Sequence, residues 1–76
     1  MFWEKMDIFF VRNFFMDLAD LGIITPRIRD LWLSRFSSTD TPECMDKKFD
    51  DFLRMNRNNH QIRNFYENSI RKYFKN

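Results

Sequence analysis

The residues able to do chemistry are few in this 76-residue chain: one histidine, His60, one cysteine, Cys44, and the acids Asp46, Asp50 and Asp51. A lone histidine rules out a two-histidine metal site within one chain, and its neighbours Asn58, Asn59 and Gln61 supply no acid to activate it. Cys44 falls in the first turn of an expected helix, where the helix dipole favours a thiolate. No histidine stands near it in sequence, so it reads as a small apolar residue. The three acids alternate with Lys47 and Lys48, the pattern of a solvated helix face and not of a poised carboxylate pair. A single glycine leaves no phosphate-cradling loop, and a single cysteine leaves neither a disulfide framework nor a cysteine-rich zinc module. The expectation is a protein without catalytic residues, metal ligands, cofactor or small-molecule substrate.

What must position any surface is a set of helices. The chain is 43% hydrophobic, 32% charged and 18% aromatic, with ten phenylalanines. That is too apolar for disorder and too charged for a membrane span. Length allows one domain, residues 1–76. Gly22 suits the left-handed residue that closes a helix, with Ile23 folding back in a Schellman contact. Thr25-Pro26 and Thr41-Pro42 both read as an N-cap followed by a first-turn proline. Asn56, Asn58 and Asn59 favour caps over helix interiors and place a break near Asn58. The fold predicted is an all-α bundle of three to four helices, about 2–21, 26–36, 42–57 and 60–75. The first is central or lies at a dimer seam, and a continuous helix from residue 42 to the C-terminus is the alternative to the break.

Periodicity assigns the buried faces. These are Ile8, Val11, Phe14, Phe15 and Leu18 on the first helix, then Ile28, Leu31, Trp32 and the stem of Arg35 on the second. Met45, Phe49, Phe52 and Leu53 follow on the third. The last carries Ile62, Phe65, Tyr66, Ser69, Ile70, Tyr73 and Phe74. No signal peptide is visible: Glu4 and Asp7 interrupt the apolar N-terminus, and no small-residue cleavage site follows. With a free cysteine, this predicts a cytoplasmic protein without a transmembrane segment.

The first helix carries a second apolar side, Phe2, Met6, Phe9 and Met16, with Asn13 between the last two. Phe2, Phe9 and Met16 recur every seven residues, the spacing of a helix–helix seam in which one asparagine fixes register. Short neighbours do not cover both sides of such a helix, and soluble monomers avoid exposed aromatic patches. These four residues are therefore the expected partner or homodimer interface. The competing account threads the helix through the centre of the bundle and covers it from both sides.

Charge is unevenly placed. Residues 53–76 hold six basic residues against one acid, whereas residues 1–52 hold seven against ten. Arg63, Arg71, Lys72 and Lys75 are candidate contacts for nucleic acid or an acidic partner. Arg27 and Arg29 join them if Gly22 is the turn glycine of a helix-turn-helix. Against that motif, Leu18 stands where a small residue is needed and Asp17 falls on an inward position.

Ala19, Gly22, Leu31-Trp32-Leu33, Phe49 and Phe52-Leu53, within the run Leu18 to Leu53, resemble the PerC-like and AraC-negative-regulator groups of small enterobacterial virulence co-regulators. Those proteins set a short helix with Ala and Gly before an aromatic Leu-Trp helix. The spacing from Gly22 to Trp32 and the presence of Thr25-Pro26 depart from their pattern, and under half of the chain is covered. The resemblance implies binding to a transcription factor. The residues themselves point to a small regulatory or inhibitory protein that occludes a larger protein partner and self-associates through its first helix, with a DNA-binding regulator as the alternative.

Overall fold

A computed structural model describes residues 6–73, which form four helices: α1 (Ile8–Asp20), α2 (Pro26–Leu33), α3 (Pro42–Met55) and α4 (His60–Tyr73). The expected all-α bundle is observed, and α1 packs against both α2 and α4.

The main departure from the sequence reading is the start of the first helix. Asp7 is its N-cap, in an extended conformation (φ −140°), and its carboxylate accepts a hydrogen bond from the Phe10 amide at 2.9 Å. Helix therefore begins at Ile8 rather than near Phe2, because a side-chain acceptor at position 7 satisfies an amide otherwise left orphaned. Residue 6 then occupies the position before the cap, which characteristically packs against the fifth residue after it in a hydrophobic staple. Those positions are Met6 and Val11, and both are buried in the core cluster.

The remaining boundaries follow local chemistry. Gly22 closes α1 at φ +74° in a full Schellman motif: the Ile23 amide donates to the Leu18 carbonyl at 2.9 Å and the Gly22 amide to Ala19 at 3.0 Å. Thr25 and Thr41 cap α2 and α3 through their hydroxyls, which accept from Ile28 N at 3.2 Å and Cys44 N at 3.1 Å. Past Leu33 the chain tightens into i→i+3 turns, so Phe36 is buried without being helical. The break between α3 and α4 is real. Asn56 ends α3, donating its side-chain amide to the Phe52 carbonyl at 2.8 Å. Asn59 opens α4, its side-chain oxygen accepting from Gln61 N at 3.1 Å and Ile62 N at 3.3 Å.

The core is an aromatic stack centred on Phe14 and Phe15 of α1. Phe15 lies parallel to Phe49 of α3, 5.7 Å between centroids and 4° between planes, and meets Phe52 edge-on at 4.9 Å. Phe14 reaches α4 through Phe65 at 5.5 Å and Tyr66 at 5.7 Å. Trp32 joins α2 to this stack through Phe52 at 5.1 Å. Edge-to-face and offset pairs of this kind add roughly 0.5–1.5 kcal/mol each beyond area burial. The connector 34–41 is pinned by Lys48, whose ammonium donates to the Arg35 carbonyl and pairs with Asp40 at 2.6 Å beside the Phe36 ring.

Candidate interaction surface

α1 is buried on one side and bare on the other. Phe10, Val11, Phe14, Phe15 and Leu18 form its inner face, while Phe9, Arg12, Asn13, Met16, Asp17 and Asp20 are exposed. Helical spacing puts Phe9, Asn13 and Met16 along one line. Phe9 is 63% exposed and Met16 48%. Met6, expected beside them, is a correction: it is 3% exposed and belongs to the core cluster, at the position before the Asp7 cap where a staple residue characteristically turns inward. Phe2 lies outside the described residues.

α2 supplies a second surface that sequence periodicity assigned to the core. Ile28 is 39% exposed and Leu31 52%; only Trp32 of this helix is fully buried. An eight-residue helix presents about two turns, and the bulk of Trp32 alone fills its contact with Phe52. Ile28 and Leu31, three residues apart, are left together on the outer side, next to exposed Arg27. Arg35 is exposed and stacks over Trp32 at 4.6 Å from the ring centroid.

The basic residues divide into paired and unpaired sets. Arg29 pairs with Asp30 at 2.9 Å, and Arg54 bridges Asp50 at 3.2 Å and Asp51 at 2.9 Å. Arg27, Arg57, Arg63, Arg71 and Lys72 are exposed and make no ion pair among the described residues. Lys75 lies outside them. Asp17 is exposed, which does not fit the inward position a helix-turn-helix requires of it.

An open groove of about 530 Å³ runs between α1 and α4. Phe10, Asn13, Phe14 and Asp17 of α1 and Ser69, Lys72 and Tyr73 of α4 line it. Elsewhere on α4, Tyr66 is held in its neutral form: burial first, then the Asp46 and Asp50 carboxylates, pushes its phenol up to about 12. The Asp46 carboxyl is raised by burial and by Asp50, whereas the hydrogen bond from Lys48 holds Asp40 below the ordinary range. No three metal-binding side chains converge among the described residues, where His60 is exposed and Cys44 half-buried. No described helix is long and apolar enough to cross a membrane. Comparison with family models, curated proteins and solved structures finds no match.

Proposed function

We propose that this protein is a small non-enzymatic regulator that acts by covering a surface on a larger protein, and that it self-associates through the outer face of α1. The observation that carries the reading is Phe9, an aromatic side chain 63% exposed on the same helix whose other side organises the whole core. Leaving that area in water forgoes burial worth about 25 cal/mol per Å², a standing cost that contact with another molecule removes. The Ile28–Leu31 pair on α2 gives a second apolar contact, with Arg27 at its edge for an acidic partner. The test is capture from a cytoplasmic extract by the wild type and by Leu31→Asp, with and without nuclease. A protein retained by the wild type, lost with the variant and indifferent to nuclease supports the reading; capture abolished by nuclease contradicts it.

One observation favours a second reading, a nucleic-acid-binding regulator. Arg57, Arg63, Arg71 and Lys72 are exposed cations without acidic partners among the described residues, close together in sequence and largely on one helix. Binding of that kind weakens with salt at a log–log slope of about −0.9 per phosphate contact, which a titration of duplex DNA measures.

A further inference from the structure

We infer that the outer face of α1 pairs with the same face of a second copy, the two helices running parallel and in register; this rests on the self-association proposed above. Written as a heptad, Phe9 and Met16 occupy position d and Asn13 position a, with Arg12 at g and Asp17 at e. Val11, Phe14, Phe15 and Leu18 fall at f, b, c and f, the positions turned away from a seam, and all are buried in the protomer's own core; Phe10, at the flanking position e, is buried with them, so the seam's e side is open only from Asp17. The outward positions 9, 12, 13, 16 and 17 are all exposed.

Charge then selects the direction. In a parallel pair, g of one helix faces e of the other five residues on, so Arg12 meets Asp17 of the second copy on both sides of the seam. In an antiparallel pair matching Phe9 with Met16, g faces g, and Arg12 stands against Arg12. The parallel arrangement also sets Asn13 against Asn13, where two amides in a small apolar seam satisfy each other and fix the register. Asp20, next in position a, faces its own copy at the end of the helix and stops the seam there. The contact between described residues is therefore about two helical turns, well below the roughly 1,200 Å² of a stable interface, and its affinity is weak.

The experiment uses the full chain with Cys44→Ser, followed by sedimentation and by oxidative cross-linking. Met16→Cys is expected to link to itself, and Arg12→Asp to weaken association roughly three- to tenfold. Asp17→Arg should do the same, and the double exchange Arg12→Asp/Asp17→Arg should restore it. Overturning results are a Met16→Cys chain that links only to Phe9→Cys, or association unchanged in Arg12→Asp, where an antiparallel seam merely exchanges one like-charge pair for another. A Cys44→Ser chain that stays monomeric removes the self-association reading itself, and circular dichroism of each variant separates lost pairing from lost fold.

Discussion

Phe9 and Phe10 are consecutive in α1, yet Phe9 is 63% exposed and Phe10 2%. Phe10 packs on Phe49 at 5.7 Å and Tyr73 at 5.0 Å; successive helical residues are turned by about 100°, so Phe9 is left over the rim of the same core. A single step along the chain takes the helix from the core to solvent.

The core is the more sensitive side. Phe15 and Phe49 are fully buried and stacked on each other, so Phe49→Ala removes a ring that also touches Phe36 and Tyr66. The expected loss is about 3–5 kcal/mol. At roughly 0.05–0.15 kcal/mol per residue this is a large share of the total stability, and urea unfolding should show a strongly lowered midpoint or no folded baseline.

Gly22 gives a purely conformational test. A Cβ added there would meet nothing within 4 Å, but the residue sits at φ +74°. Gly22→Ala is thus expected to cost about 1–2 kcal/mol through backbone strain alone. A thermal melt of Gly22→Asn should show a smaller loss, since asparagine tolerates the left-handed region.

Tyr66 should dominate the alkaline behaviour. Its phenol is raised from 10.0 to about 12 by burial and by Asp46 and Asp50, so the folded state holds a proton that the unfolded chain releases. The stability this contributes is intact below pH 10 and falls as pH rises from 10 through about 12. Absorbance at the phenolate band should show a late-titrating tyrosine, and Tyr66→Phe should flatten the loss of stability over that range.

Asp40 governs the acid side of the connector. Its pairing with Lys48 and its bond from the Ser37 amide at 3.0 Å lower its pKa from 3.8, so its contribution is present above that value and lost as pH falls through the lowered one. Lys48→Met is expected to destabilise the protein at neutral pH and to approach the wild type below the ordinary carboxylate range, a convergence that paired unfolding curves would reveal.

Much of this fold is legible in the sequence because its punctuation is local. Gly22, Thr25-Pro26, Thr41-Pro42 and the asparagines from 56 to 59 each act through bonds to residues only a few positions away, and each marks a boundary the structure keeps. Asp7 is as local, but the apolar periodicity around it runs on to residue 2 and sets Met6 in line with the seam, which masks the cap. Asp7 flanked by Met6 before it and Val11 four residues after it, at staple spacing, is the signal for the cap. Ile28 and Leu31 could not be read, because their periodicity equals that of a buried stripe and exposure depends on how much of α2 Trp32 occupies. The role of Lys48 depends on the connector folding back over α3, a long-range fact that its helical neighbours conceal.

Completion of the bare face of α1 by another molecule, in the first instance a second copy, is the proposal on which the functional reading rests. Sedimentation equilibrium of the wild type and Phe9→Glu, from micromolar to millimolar concentration, tests it directly. The account predicts reversible self-association of the wild type that weakens at least about tenfold in Phe9→Glu, each dimer losing two rings, while the thermal unfolding midpoint hardly moves. A wild type that remains monomeric throughout, or a Phe9→Glu chain that unfolds, would contradict it.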